Sequence, residues 1–202
     1  IPVSVAGHVK TLENCEGNLS AFTNTSTASA QTETGLEYVH NGRQSLKLTY
    51  QAGTTGVAGL STNLSIPSGE SWIGMWVYGD GSGNTLMATV NGQSTSQILL
   101  TALDFTGWQY VMAQLPDGAT SISELSVIYG GTEGKQNGTI WLDQMVTANE
   151  KIVDTAIDAG LDAIAITDHD NVLAYPIALN YAKKIADSGG KNLEILPGVE
   201  IN

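Results

Sequence analysis

Acidic and histidine side chains follow a predicted buried strand near the end of the chain. The apolar run Ala163–Ile166 is followed, after Thr167, by Asp168 and His169. Carboxylate and imidazole groups together suit zinc, manganese or iron. Glu200 follows the next predicted strand. Because neighbouring parallel strands lie about 5 Å apart, Glu200 could reach the same ion as His169.

These residue types are those of a hydrolytic metal site. A carboxylate that bridges two metal ions beside an imidazole would hold a hydroxide for attack on a phosphate ester. The carboxyl edge of a parallel sheet is also where α/β folds place their chemistry. The alternative interpretation is structural, with Asp168 and His169 in a helix-capping turn.

Helical and extended patterns alternate after Thr147, and these elements would position the site. Apolar residues spaced for one helical face are followed by two continuous apolar runs, which are typical of buried parallel strands. The predicted elements are a helix over 152–157 capped by Thr147 or Asn149 and ended by Gly160, a strand over 161–166, a helix from Pro176 to Ala186, and a strand over 193–196. This order predicts a β-α-β unit that is preceded by one more helix.

Two segments carry a resemblance to a known family. The run 156–170 reads Ala-x-x-x-Gly-Leu-Asp-Ala-Ile-Ala-Ile-Thr-Asp-His-Asp, and 197–201 reads Pro-Gly-Val-Glu-Ile. They resemble the second and third motifs of the PHP (polymerase and histidinol phosphatase) family of metal-dependent phosphoesterases. The resemblance implies a fragment of a (β/α)7 barrel that hydrolyses phosphomonoesters or phosphodiesters at a cluster of metal ions. It makes His169 a metal ligand, Glu200 a bridging carboxylate, and Asp168 a catalytic proton-handling residue or a further ligand.

The first motif of that family, a His-x-His sequence, is not found in the chain. The three histidines are His8, His40 and His169, and the first two fall in the predicted sandwich. We therefore expect the chain as written to be inactive as a phosphoesterase. One hypothesis is that a segment is missing at the junction 146/147. The other is a truncated domain that keeps the α/β unit as a packing element.

Short alternating runs of apolar residues dominate the chain before Thr147. Turn signals such as Asn41-Gly42, Asn91-Gly92 and Gly130-Gly131 separate them. Many short strands with regular turns are typical of sandwiches and jelly rolls. The sequence therefore predicts a mainly β protein, with a jelly-roll β-sandwich over 1–146 and a partial α/β unit over 147–202.

The predicted sandwich resembles galactose-binding-like jelly rolls that serve as carbohydrate-binding modules. The runs that carry this resemblance are Leu12-Glu13, 42–48, 74–80, 104–111 and 138–143. Such modules often hold one calcium ion, and the resemblance places it at Glu13 and Asp143, with backbone carbonyls near Gln44 as additional ligands. Ligation by oxygen alone fits calcium. The alternative is a pair of surface carboxylates.

The four tryptophans all lie in the predicted sandwich. Trp76 shares one strand face with Trp72 and Tyr78, and Trp108 shares one with Tyr110. Aromatic faces stack on sugar rings, so Trp76 and Trp108 are candidate carbohydrate-binding residues. Packing in the core of the sandwich is the alternative use of these rings.

Composition narrows the possible partners. The formal net charge is −12 and the isoelectric point is near 4.3, so the chain would repel nucleic-acid phosphates, and we expect no nucleic-acid partner. Cys15 is the single cysteine, which excludes an intrachain disulfide. No apolar run is long enough to predict a membrane span.

Together these patterns predict a part of a secreted, multidomain, metal-dependent phosphoesterase with an accessory glycan-binding sandwich. Its partners would be a phosphate ester substrate and a polysaccharide. Its cofactors would be a divalent transition metal and a structural calcium ion. The alternative is a non-catalytic carbohydrate-binding or spacer module that carries an inactive PHP remnant. The resemblance to domains of large secreted bacterial proteins implies an extracellular or cell-surface location.

Overall fold

The computed structural model describes residues 3–5, 9–169 and 174–200. Strands make up most of this part of the chain, and two α-helices occur near its end. The strands are β1 (Val3–Val5), β2 (Val9–Glu13), β3 (Phe22–Thr23), β4 (Ala28–Glu33), β5 (Ser45–Gln51), β6 (Val57–Ser65), β7 (Trp72–Asp80), β8 (Thr85–Asn91), β9 (Ser96–Ala102), β10 (Thr106–Gln114), β11 (Ser121–Ile128), β12 (Asn137–Ala148), β13 (Ala163–His169) and β14 (Glu194–Glu200). The helices are α1 (Lys151–Asp158) and α2 (Ala174–Asp187).

A β-sandwich forms the larger part of the protein, as the alternating pattern predicts. Within the described residues, one sheet has six strands in the order β10-β7-β12-β5-β4, with β2 paired to β12. The other sheet has five strands in the order β3-β6-β11-β8-β9. The antiparallel pairs in the six-stranded sheet are β7–β10, β5–β12 and β4–β5. Those in the five-stranded sheet are β3–β6, β6–β11, β8–β11 and β8–β9.

Inward-facing side chains of both sheets form one hydrophobic core. In β7 the inward positions are Ile73, Met75 and Val77, and each of these side chains is fully buried. Trp76 and Tyr78 on the same strand are partly exposed, because successive side chains of a strand point to opposite faces. Burial of each large apolar side chain stabilises the fold by about 1.5–3 kcal/mol. This core therefore holds the two sheets together and supports their outer faces.

The α/β unit contains a parallel sheet with the order β1-β13-β14 among the described residues. Ile164 in β13 is opposite Val3 in β1 and Ile195 in β14. Apolar side chains of α1 and α2 pack with this sheet in a second hydrophobic cluster. The N-cap residue of α1 is Glu150 and not the predicted Thr147 or Asn149, although the Oδ1 of Asn149 accepts a hydrogen bond from the Lys151 N–H at 3.2 Å.

The chain enters this unit before it forms the sandwich. Residues 1–10 and 148–202 make up one compact unit, and residues 11–147 make up the other. The predicted sandwich range, 1–146, included the first ten residues, which the structure places with the α/β unit. The sandwich is therefore inserted between β1 and α1 in the chain, and the hypothesis of a missing segment that carries His-x-His at the junction 146/147 stays a prediction. The described part of the smaller unit has three strands and two helices, and its assignment to a fragment of a (β/α)7 barrel stays a prediction.

Candidate functional site: an aromatic face and a buried carboxylate

The outer face of the six-stranded sheet carries a group of aromatic rings. Trp108 in β10 is opposite Tyr78 in β7, and Tyr110 is opposite Trp76, so these four side chains lie on one face. Trp141 joins them from β12 through an edge contact with Tyr78. Tyr38 and His40 add two further rings. We call the whole group the aromatic face, and its members are Tyr38, His40, Trp76, Tyr78, Trp108, Tyr110 and Trp141.

The connection between β4 and β5 lies over this face. We call residues 34–41 the strap. The Tyr38 ring stacks on Trp141 with centroids 3.9 Å apart and an interplanar angle of 10°. The His40 ring stacks on Trp76 at 3.7 Å and 15°, and its edge meets Trp108 at 5.4 Å. The strap therefore adds two rings to those that the sheet supplies.

Polar groups on the rings tie the strap and its preceding strand to the sheet. The Trp108 indole N–H donates to the backbone carbonyl of Glu37 at 3.2 Å, and the Tyr78 hydroxyl donates to the Glu37 carboxylate at 3.2 Å. The Trp141 indole N–H donates to the Glu33 carboxylate at 3.2 Å. Hydrogen bonds from the Gly35 backbone N–H and from Trp141 lower the pKa of Glu33. The face is thus lined by acceptors that carry negative charge.

Trp76 and Trp108 lie on the outer surface and not in the core. Both side chains are partly exposed, and neither belongs to the buried cluster between the sheets. The core-packing alternative is therefore wrong for these two tryptophans, while their binding role stays a prediction. The sequence analysis missed Tyr38, His40 and Trp141. Trp141 has the outward parity of β12, but no local pattern places the strap over the sheet.

Asp143 is a fully buried carboxylate behind the strap. Its Oδ2 atom accepts hydrogen bonds from the backbone N–H groups of His40 at 3.1 Å and Asn41 at 3.0 Å. Its Oδ1 atom has no hydrogen-bond partner among the described residues. Burial raises the pKa of Asp143 from its ordinary value of 3.8 to about 6, although the backbone N–H groups of Asn41, His40 and Gln144 partly offset this shift.

Glu13, the other predicted calcium ligand, contacts the residue Cys15, and the pairing of Glu13 with Asp143 at one ion stays a prediction. Its Oε1 atom accepts a hydrogen bond from the Cys15 N–H at 2.8 Å. Burial, followed by the negative charges of Asp143 and Glu13, raises the pKa of the Cys15 thiol. Both carboxylates therefore act on the same buried sulfur. The alternative of two surface carboxylates is wrong for Asp143, which is fully buried, and Glu13 is half-buried.

A third carboxylate near this place was not predicted. The Oε1 atom of Glu16 accepts hydrogen bonds from the N–H groups of Arg43 at 2.8 Å and Gln44 at 3.2 Å. Gln44 thus contributes its N–H here, and a ligating carbonyl near Gln44 stays a prediction. The part of the chain that the structure describes contains no group of three or more His, Cys, Asp or Glu residues that could hold a metal ion.

Backbone strain occurs beside the carboxylates. Cys15 and Gln144 both have left-handed backbone conformations, with φ angles of 62° and 48°. Such conformations cost free energy for residues other than glycine and concentrate where a structure must hold particular groups in place. Cys15 lies two residues after Glu13, and Gln144 directly follows Asp143.

The predicted transition-metal residues lie at one edge of the parallel sheet. In the register of β13 and β14, His169 is opposite Glu200 and Asp168 is opposite Val199. The side chains of Asp168, His169 and Glu200 lie outside the residues whose side chains the structure describes. The backbone therefore brings the two predicted ligands into adjacent strands, and the coordination itself stays a prediction.

No protein-family model and no curated protein matches the chain. Solved carbohydrate-binding modules are similar to it in structure. A family 11 module of the cellulosomal cellulase Lic26A-Cel5E of Clostridium thermocellum has 14% identity and a TM-score of 0.49, with 72% of this chain and 96% of that chain covered. The xylan-binding CBM22-1 domain of Xyn10C from Paenibacillus barcinonensis has 19% identity and a TM-score of 0.46, with 69% and 91% covered. TmCBM61, solved in complex with β-1,4-galactotriose, has 14% identity and a TM-score of 0.47, with 70% and 99% covered. The likeness concerns the fold alone.

None of the helices in the described part of the chain has the length and apolar character needed to cross a membrane.

Proposed function

We propose that the sandwich binds a neutral polysaccharide on the aromatic face. The observation that carries this proposal is the group of partly exposed rings on one outer surface, with Trp76 and Trp108 among them. Contiguous exposed aromatic surface is uncommon on a monomeric protein and marks a binding site. Aromatic faces suit the apolar C–H surfaces of sugar rings, while indole and phenol groups supply hydrogen bonds to hydroxyls.

Charge favours a neutral ligand over an acidic one. Glu33 and Glu37 lie beside the rings, and the whole chain carries a net charge of −12. A polyuronic acid or sulfated glycan would meet repulsion at this face, particularly at low ionic strength. An extracellular or cell-surface location is part of the proposal.

Replacement of Trp108 by alanine should lower the affinity for the polysaccharide by about 30-fold or more, since central aromatic anchors carry most of the energy of an interface. Trp76→Ala should have a comparable effect. The measurement is affinity electrophoresis in gels that contain xylan, β-1,4-galactan or β-glucan. Leu99→Ala is the matched control, because Leu99 is 57% exposed on the opposite sheet. Equal mobility of wild-type protein in every gel would exclude this function.

A structural calcium ion at Glu13 and Asp143 is the second part of the proposal. The buried Oδ1 atom of Asp143 has no partner among the described residues, and a carboxylate oxygen in that position suits a hard cation. Glu13 supplies a second carboxylate beside the same sulfur. Calcium would offset the free-energy cost of burying the Asp143 charge.

A second candidate function concerns the α/β unit, where we propose a transition-metal site of the phosphoesterase type. The observation that favours it is the backbone register that pairs His169 with Glu200 at one end of parallel strands. In this proposal both residues are ligands, together with Asp168, which also handles a proton. Zinc, manganese or iron bound there would supply Lewis-acid chemistry to a phosphate ester.

The His169→Ala variant should lose the bound transition metal. Protein loaded with zinc or manganese and then dialysed is compared by elemental analysis, because imidazole is a principal ligand of these metals. His40→Ala is the control, since His40 belongs to the other unit. Unchanged metal content in the His169→Ala variant would remove this site. Hydrolysis of bis-p-nitrophenyl phosphate then tests for activity.

A further inference from the structure

We infer that Asp143 is a positioning residue for the glycan site, because it holds His40 in place as the outermost ring of the aromatic face. This inference rests on the proposed glycan binding and deepens it. It assigns a ligand-contacting role to His40 and connects it to a carboxylate buried inside the sandwich.

The first step is the link between Asp143 and the strap. One carboxylate oxygen accepts from two successive backbone N–H groups, those of His40 and Asn41. Bonds to an ionised acceptor are about twice as strong as neutral ones, and burial shields this pair from water. The strap is also fixed nearby, because the Ser45 hydroxyl donates to the Tyr38 carbonyl. The backbone at His40 is therefore held from inside.

The second step is the position of the imidazole. It lies flat on Trp76 at 3.7 Å, and its edge is directed to Trp108 at 5.4 Å. His40 is exposed, whereas Trp76 and Trp108 are only partly exposed. A sugar that approaches this part of the sheet therefore meets the imidazole before it meets Trp76. Trp76 therefore lines the face with its own partly exposed ring and also supports His40.

The third step is what an imidazole offers to this ligand. Its flat ring can stack on the apolar face of a pyranose, and its two nitrogens can exchange hydrogen bonds with hydroxyl groups. A tryptophan in the same place would offer one donor and no acceptor. The site thus suits a neutral glycan with hydroxyl groups at the rim of the stacked sugar.

The test combines affinity with a direct observation of the ring. Stacking on an indole shifts the imidazole proton signals upfield in NMR spectra, and this shift reports the geometry independently of any ligand. His40→Ala should weaken binding to soluble xylan, β-1,4-galactan or β-glucan by about three- to tenfold. Asp143→Leu should remove the upfield shift and weaken binding equally, with cooperative unfolding retained. Asp143→Asn keeps an acceptor oxygen and should preserve both properties.

A double-mutant cycle separates positioning from general damage. In the His40→Ala background, Asp143→Leu should cause no further loss of affinity, since its effect acts through His40. The inference is overturned if His40→Ala binds like the wild type, or if Asp143→Leu leaves the imidazole shift unchanged. If the wild type binds none of the three polysaccharides, the proposed function fails, while the imidazole shift still decides whether Asp143 positions His40.

Discussion

Calcium is expected to stabilise the protein more at neutral pH than at mildly acidic pH, because it would bind the ionised form of Asp143. Without calcium, this carboxyl has a pKa of about 6 in the folded protein against an ordinary value of 3.8. The folded state therefore binds a proton more tightly than the unfolded state. The free energy of unfolding therefore decreases as the pH rises through about 6, and the decrease approaches about 3 kcal/mol at neutral pH.

The sign of this effect is opposite to that of a salt-bridged aspartate. In a chelator such as EDTA, stability should increase as the pH falls from about 7 towards 4, equivalent to roughly 10 °C in melting temperature. Saturating calcium should remove most of that increase, because the ion compensates the buried charge at neutral pH and competes with the proton at low pH. Thermal melts at several pH values, with calcium or with chelator, measure both effects.

Two variants assign the effect to named residues. Asp143→Asn should be more stable than the wild type in chelator at neutral pH, because the amide carries no charge and its oxygen can still accept from the strap. It should also lose the response to calcium. Glu13→Gln should lose the calcium response but keep the pH dependence of the metal-free protein. A melting temperature that ignores both calcium and chelator would exclude the calcium site, and a less stable Asp143→Asn variant would contradict the account of the buried charge.

Asn84→Leu is expected to destabilise the sandwich by about 3–5 kcal/mol. Asn84 is fully buried, and its amide nitrogen donates to the Tyr50 hydroxyl at 3.0 Å and to the Lys135 carbonyl at 2.7 Å. Its oxygen accepts from the Gly130 N–H at 3.0 Å. Leucine has a similar size, so the cost comes from the Tyr50 hydroxyl and the two backbone groups that lose their partners.

Urea unfolding of Asn84→Leu measures this cost. Asn91→Leu is the matched control, since Asn91 lies at the other end of β8 and is only partly buried. The control should change the unfolding free energy by less than about 1 kcal/mol. An Asn84→Leu variant as stable as the control would mean that the buried amide does not hold the loops at this end of the sandwich. Unchanged m-values would show that both variants unfold in the same two-state manner.

Local patterns in the sequence were sufficient to predict most of the elements. Strands such as β5, β7 and β12 fall on alternating runs, because a half-buried strand needs apolar residues at every second position. The helices and β13 follow from the change of period after Thr147. The outward position of Trp76 and Trp108 agrees with their shared parity across the β7–β10 pair.

The path of the chain was decided only by tertiary structure. Strand β1 has three residues, too few to show a period, and it pairs with β13 after an insertion of more than a hundred residues. No local signal reports a parallel pairing of this sequence separation. For that reason the sequence analysis assigned residues 1–10 to the sandwich, whereas the structure groups them with residues 148–202.

The residues of the candidate site were likewise predictable from the sequence only in part. Strand parity placed Trp76 with Tyr78 and Trp108 with Tyr110, and the resemblance to carbohydrate-binding modules made Glu13 and Asp143 candidate ligands. Only the fold placed the strap over the sheet, with His40 on Trp76 and its backbone on Asp143. Those contacts join residues more than thirty and about a hundred positions apart. They depend on how a long loop packs on a finished sheet, and a sequence period carries no information about such packing.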